Sequence, residues 1–195
     1  MEKRKILVIA LAALLTTNVM AGCGSDGNSS PASSQSTSAK PTKSKAQVLY
    51  EKFLALPMGA SYEDVKGALG QDGTLISESN IANIVTRSYK WEEGGNSLMA
   101  TFQNGGMSTK AMSSLGFLKP NGEDVTLAEF NQIQAGMNYD QVKGIFNNRE
   151  GFLESEVQLM GEDSQMVMWI NKGGSNVQIS FDNGAVSSKS QYGLK

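Results

Sequence analysis

The chain has 195 residues, with 17 Lys and Arg against 19 Asp and Glu, and a formal net charge of −2. This balance leaves no basic stripe that could neutralise phosphates, so nucleic acid is not an expected partner. Histidine is absent and Cys23 is the only cysteine. The commonest acid–base group and metal ligand, any internal disulfide and any Cys/His nucleophile pair are therefore excluded. We expect a protein that is not an enzyme and holds no metal or cofactor.

Residues 1–22 have the pattern of a removable signal peptide. A basic start at residues 3–5 precedes an apolar run at residues 6–15, which is too short for a membrane span of about 20 residues. The run leads to Met-Ala-Gly-Cys at residues 20–23, which resembles the lipobox of bacterial lipoproteins, with Met in place of the usual Leu. The resemblance implies that Cys23 receives a diacylglyceryl group. The alternative is an ordinary secretory signal that has a cysteine at its end by chance.

Residues 23–43 are predicted to form a flexible tether. After Cys23 they are rich in Ser, Thr, Gly and Ala and contain no large apolar side chain, so they cannot bury enough surface to offset the entropy of ordering. A coil of about 20 residues spans roughly 25 Å. The sequence therefore predicts a protein that is anchored by lipid at the extracytoplasmic face of the cell membrane.

The rest of the chain contains an internal repeat whose offset drifts from 77 to 79 residues. A fixed offset shared by several residue types indicates a duplicated unit. It predicts a first repeat at residues 44–118 and a second at residues 119–195. The matched segments are Gly59-x-x-Tyr62-x-x-Val65 with Gly136-x-x-Tyr139-x-x-Val142, Trp91 with Trp169, Gly94-Gly95 with Gly173-Gly174, and Phe102-x-Asn104-Gly105 with Phe181-x-Asn183-Gly184.

Each repeat predicts two helices followed by an antiparallel meander of three or four strands. Capping-box patterns start at Ser44 and Thr126, and apolar residues alternate at residues 97–102 and 176–181. Asn-Gly pairs after these segments are typical of hairpin turns. The predicted fold class is α+β, with two tandem helix-loop-helix plus antiparallel meander repeats whose helices pack on one face of a sheet.

Gly67 and Gly144 stand in the middle of the second helix of each predicted repeat. A glycine there costs about 1 kcal/mol relative to alanine. We therefore expect close backbone packing at both positions, with an unconstrained exposed site as the alternative.

The repeat, with G-x-x-Y-x-x-V at the second helix and an aromatic-x-Asn-Gly turn, resembles the β-lactamase inhibitory protein family. It looks more closely like lipoproteins of Gram-positive bacteria whose domains share this repeat, and the wider group is similar to small envelope lipoproteins that assist outer-membrane assembly. The resemblance covers residues 46–195. It implies a continuous curved sheet whose concave face binds a partner protein. The disulfides of the inhibitor have no counterpart here, because the chain has no cysteine to form them.

The strand pattern places Met99, Met166, Met168 and Ile170 on the sheet face that points away from the helices. Methionine side chains adapt to different partners, and an apolar patch on an open sheet is typical of protein-binding surfaces. We therefore predict a lipid-anchored module that binds an extracytoplasmic protein or another envelope component. The alternative function is binding of a small molecule or a cell-wall glycan in a cleft between the repeats.

The assignment of faces depends on the strand register. A slip of one residue would exchange the two faces. In that case Tyr89, Trp91 and Trp169 would be exposed, and they would be the binding anchors, since Trp and Tyr are enriched in binding hot spots.

Overall fold

A computed structural model describes residues 43–120 and 122–195. Each helix in these ranges begins with a capping box. The side chains of Ser44, Ser61, Thr126 and Asn138 each accept a hydrogen bond from the backbone N–H three residues later, and the side chain at that position accepts from the cap in return. The sequence predicts the starts at Ser44 and Thr126 correctly. The helices are α1 (Lys45–Ala55), α2 (Tyr62–Leu69), α3 (Leu127–Gln132) and α4 (Tyr139–Ile145). The predicted signal peptide, Cys23 and the tether up to residue 42 lie outside the described residues.

Strands occupy most of the remaining described chain and form one antiparallel sheet of eight strands in chain order. The first four strands follow α1 and α2, and the last four follow α3 and α4. Two-residue turns join the strands within each group, except that residues 171–175 connect β6 and β7. The strands are β1 (Thr74–Ile81), β2 (Ile84–Glu93), β3 (Asn96–Gln103), β4 (Gly106–Met112), β5 (Phe152–Leu159), β6 (Glu162–Ile170), β7 (Asn176–Asp182) and β8 (Ala185–Tyr192).

The predicted fold class, α+β with tandem helix-loop-helix plus meander repeats and helices packed on one face of a sheet, is wrong. The framework is the continuous sheet, and the helices are short, with 11, 8, 6 and 7 residues. Capping boxes mark where a helix begins but carry no information about its length. In α3 the helix ends after six residues because Ile133 is already extended at the C-cap. The sequence pattern therefore overstated the helical share.

The two groups of strands meet at β4 and β5, where the pairing is short. Only three residue pairs join these strands, with Lys110 opposite Glu156 in the middle. Every other pair of neighbouring strands matches over six to eight residues. The sheet is therefore continuous, but its least extensive pairing lies at this junction.

The hydrophobic core consists of two clusters, one for each group of strands. Trp91 lies in the first cluster and its indole N–H donates to the Gln71 carbonyl at 3.0 Å. Trp169 lies in the second, and its indole N–H donates to the Arg149 carbonyl at 3.0 Å. Each tryptophan is thus fixed by a hydrogen bond as well as by packing. The alternating residues predicted to face the core are buried, namely Leu98, Ala100, Phe102, Val177, Ile179 and Phe181.

A tyrosine ties the second helix of each group to the strand that follows. The Tyr62 hydroxyl accepts from the Gly73 N–H at 3.2 Å, and the Tyr139 hydroxyl accepts from the Gly151 N–H at 3.1 Å while donating to Glu150 at 2.7 Å. Burial raises the pKa of Tyr139 above its ordinary range. The hydroxyl therefore stays protonated and continues to donate.

Candidate functional site

The sheet face opposite the two tryptophans is the candidate site. Successive strand residues point to opposite faces, so Met99 points away from the core because its neighbours Leu98 and Ala100 are buried. Strand register then defines a row of side chains that crosses six strands from β2 to β7. We call this row the open face, and it consists of Lys90, Met99, Ala111, Ser155, Met166 and Ser180.

Two methionines on the open face have short side chains as cross-strand neighbours, Met99 on one side and Met166 on both. Met99 is 41% exposed, and its cross-strand neighbour on β4 is Ala111. Met166 is half-buried and lies between Ser155 and Ser180. Alanine and serine are too short to cover a methionine from the next strand. The open face therefore offers two flexible apolar side chains with alanine and serine between them, and Lys90 lies at its β2 end.

Met168 and Ile170, which the sequence predicts in the same patch, have a different environment. Both are half-buried and pack against the first hydrophobic cluster together with Phe152. The Tyr50 ring lies edge-on to Phe152 at 6.4 Å, and its hydroxyl donates to the Leu153 carbonyl at 3.1 Å. This part of β5 and β6 extends past the short pairing with β4. The predicted group of four is therefore divided, and a charge at Met168 would report on packing rather than on binding.

The aromatic residues of the alternative face are not on an open surface. Trp91 is 1% exposed and Trp169 is 0% exposed. Tyr89 is half-buried, with its ring centroid 4.3 Å from that of Tyr62. The two tryptophans are therefore inaccessible to a partner, and Tyr89 is partly covered by its contact with Tyr62.

The polar groups around the open face are paired with one another. Lys90 forms an ion pair with Glu92 at 2.7 Å, and the hydroxyls of Ser88 and Thr101 share a hydrogen bond of 2.9 Å. Asp182 and Glu154 accept hydrogen bonds from the neutral side chains of Ser164 and Gln178, so the face also carries negative charge beside its apolar side chains.

One exposed apolar residue on β1 was not predicted from the sequence. Ile76 lies in β1 where the register shifts between Leu75 and Ser77, and it is among the exposed large hydrophobic residues. A β-bulge changes which face a side chain joins. The alternation of residues in the sequence contains no signal for the bulge, so this side chain could not be assigned.

Other kinds of site find little support in the described part of the chain. Within residues 43–120 and 122–195, no three acidic, His or Cys side chains are grouped to hold a metal. No helix in these ranges has the length and apolar character needed to cross a bilayer. Two open depressions of about 270 Å³ each border α1. All of their lining residues precede β3, so neither depression is a cleft between the two groups of strands.

Comparison with known proteins gives a family and a fold. The profile of the family described as "Beta-lactamase inhibitor (BLIP)" matches residues 49–169. A crystal structure from Streptococcus mutans, of a protein provisionally assigned as a beta-lactamase inhibitor protein, is 17% identical with a TM-score of 0.64, and the match covers 78% of this chain and 100% of that chain. No curated protein matches the sequence significantly. At this identity, the structural likeness shows a shared fold alone.

Proposed function

Because the chain belongs to the beta-lactamase inhibitor (BLIP) family, we propose that it is a protein-binding module that holds its partner on the open face. The observation that carries the proposal is the exposure of Met99, which is 41% exposed on the face opposite the buried Leu98 and Ala100. An exposed methionine has a flexible side chain that adapts to protein partners of varied shape. The provisional assignment of the Streptococcus mutans protein as an inhibitor is consistent with a protein partner.

The dimensions of the open face fit a protein better than a small ligand. Neighbouring strands lie about 4.8 Å apart, so a row across six strands spans about 24 Å. A standard protein interface covers roughly 800 Å² on each partner, which a surface of this width can supply. A small molecule would need a concave pocket that buries most of its surface, and neither of the two depressions is lined by a residue of the open face.

We propose in addition that the module is anchored by lipid on Cys23 and acts on the extracytoplasmic side of the membrane, through the tether at residues 23–43. The support is the resemblance of residues 20–23 to a lipobox. Cys23→Ser should move the protein from the membrane fraction to the soluble fraction or leave an unprocessed precursor, as Western blots of fractionated cells would show. Normal processing and membrane retention of the variant would exclude the anchor.

The division into two repeats, at residues 44–118 and 119–195, is supported by contacts that recur. Lys110 donates to carbonyls of α1 and its C-cap, and Lys189 donates to carbonyls of α3 and its C-cap. The hydrogen bonds of Tyr62 and Tyr139 to the glycines before β1 and β5 recur in the same way.

A charge on the open face should weaken binding of the partner without unfolding the chain. Met99→Asp is expected to weaken binding of the partner by about 30-fold or more, a loss typical of a hot-spot residue, because it places a carboxylate in an apolar contact. Its free energy of unfolding should change by less than about 0.5 kcal/mol, since the side chain is exposed. Crosslinking to the wild-type chain in cells first identifies the partner protein. Titration of each variant with that purified protein then measures the affinity.

The matched control is Val48→Asp, which introduces the same charge at a residue on α1 that is 40% exposed. Val48→Asp should leave the affinity unchanged. Equal weakening by both variants, or normal binding by Met99→Asp, would show that the partner does not use the open face.

A further inference from the structure

The β4–β5 junction is stabilised by a buried lysine that serves three acceptors. The Lys110 ammonium donates to the carbonyls of Phe53 at 3.2 Å and Leu56 at 2.6 Å, and it lies 3.2 Å from Glu156 Oε2 on the neighbouring strand. The Lys110 side chain is 3% exposed. This lysine therefore caps α1 and at the same time pairs the first group of strands with the second.

The outer edge of β8 presents the same arrangement with one acceptor missing. The Lys189 ammonium donates to the carbonyls of Phe130 at 2.9 Å and Ile133 at 2.8 Å. The Lys189 ammonium also lies 4.5 Å from the centroid of the Phe130 ring. The corresponding distance from the Lys110 ammonium to the Phe53 ring is 5.1 Å. Among residues 43–120 and 122–195, no carboxylate lies within ion-pair distance of Lys189.

Strand β1, which forms the other edge of the sheet, resembles β5. Both strands have a register shift near their start, between Leu75 and Ser77 and between Leu153 and Ser155. A glutamate follows at once in each, Glu78 in β1 and Glu156 in β5. Glu156 Oε1 accepts from Gln165 and its Oε2 pairs with Lys110. Glu78 Oε1 accepts from Arg87 at 2.9 Å, so its Oε2 is the counterpart of the oxygen that pairs with Lys110.

We propose that β8 of one chain pairs with β1 of a second copy of this chain, in the register of the β4–β5 junction. Lys189 would then lie opposite Glu78, Ser188 opposite Ser79 and Ser190 opposite Ser77. The Lys189–Glu78 ion pair repeats the Lys110–Glu156 pair across two molecules. The contact is head to tail, so each added copy leaves one β1 edge and one β8 edge for further copies. The inference goes beyond the proposed function and uses the edges of the sheet rather than the open face.

Features that usually protect an edge strand do not prevent this pairing. A bulge or a proline commonly blunts an edge, but β5 carries the same bulge as β1 and still pairs with β4. Neither β1 nor β8 contains proline. At the internal junction Tyr50 lies close to Leu153, and the residues in the corresponding places, Leu127 and Leu75, are exposed. The proposed contact would bring these two leucines together.

Charge reversal at Glu78 tests the proposal. The full-length wild-type chain, purified in detergent, should associate reversibly in sedimentation velocity, with a mass that rises with concentration. Glu78→Lys should weaken association by about tenfold or more, because it opposes Lys189 with a like charge. Glu92→Lys makes the same charge change on β2 and should have no effect. A wild-type chain that stays monomeric at its highest soluble concentration, or equal weakening by both variants, would overturn the proposal.

Disulfide crosslinking tests the register independently of folding effects at Glu78. A mixture of full-length Ser188→Cys and Ser79→Cys chains should form a crosslinked dimer on mild oxidation, because residues directly opposite have Cβ atoms about 5 Å apart. A mixture of Ser190→Cys and Ser79→Cys chains places the two Cβ atoms at the diagonal distance of about 7 Å and should crosslink at least several-fold less. Each single variant, oxidised alone, is the control for links that do not join residues 188 and 79, including any link through Cys23. Equal yields from both mixtures would contradict the register.

Discussion

Gly151→Ala should destabilise the folded chain by about 2–4 kcal/mol, as overpacking against a fixed core side chain does. A Cβ atom at Gly151 would lie 2.3 Å from Val167 Cγ1 and 2.8 Å from the Trp169 ring. The ring cannot retreat easily, because Trp169 is fully buried and its indole donates to the Arg149 carbonyl. In the first group of strands, Gly73→Ala should act in the same way, since its Cβ would lie 2.6 Å from the Trp91 ring.

Gly144→Ala and Gly67→Ala are the matched controls, and each should stabilise the chain by about 0.5–1 kcal/mol. Both glycines lie inside helices, and an added Cβ would meet nothing within 4 Å. The expectation of close backbone packing at these two positions is therefore wrong. Urea denaturation of the four variants measures the differences in unfolding free energy. A loss at Gly144 as large as the loss at Gly151 would contradict this account of the packing.

Lys110→Ala should cost about 3–5 kcal/mol, the usual result of removing one partner from a buried ion pair. The substitution leaves Glu156 without its cation and two carbonyls without their shared donor. Burial lowers the pKa of Lys110, and the nearby Glu156 opposes this shift. The hydrogen bonds and the ion pair therefore hold the ammonium in place, and they offset the unfavourable loss of its hydration.

Lys189→Ala is the matched control, because Lys189 makes the same two hydrogen bonds at an exposed position. Its loss should cost about 1 kcal/mol, as expected for exposed hydrogen-bonded groups. Thermal and urea denaturation of both variants, carried out below the concentration at which copies associate, gives the comparison. Equal costs would mean that Lys110 does not stabilise the junction between the two groups of strands.

The local features of the fold were predictable from sequence because they depend on neighbouring residues. Capping boxes at Ser44 and Thr126 determine where helices begin, and the alternation at residues 97–102 determines that Leu98 is buried and Met99 is not. These signals act over three or four residues. They were sufficient to place Met99 and Met166 on the same face.

The features that the sequence did not reveal depend on contacts between distant segments. The bulge in β5 and the short β4–β5 pairing leave the start of β5 to pack with Tyr50, 103 residues away along the chain. Met168 and Ile170, on the neighbouring strand β6, pack against the same hydrophobic cluster. The capping boxes also carried no information about helix length, so the predicted fold class placed too much weight on the helices and too little on one continuous sheet.

The central claim is that the open face is the surface that binds a partner protein. A photo-crosslinking amino acid at position 99 or 166 of the full-length chain, activated in intact cells, tests it most directly. The account predicts the same protein adduct from both positions and none of that protein from position 48 on α1. A protein adduct from position 48, with no adduct from positions 99 and 166, would contradict the claim.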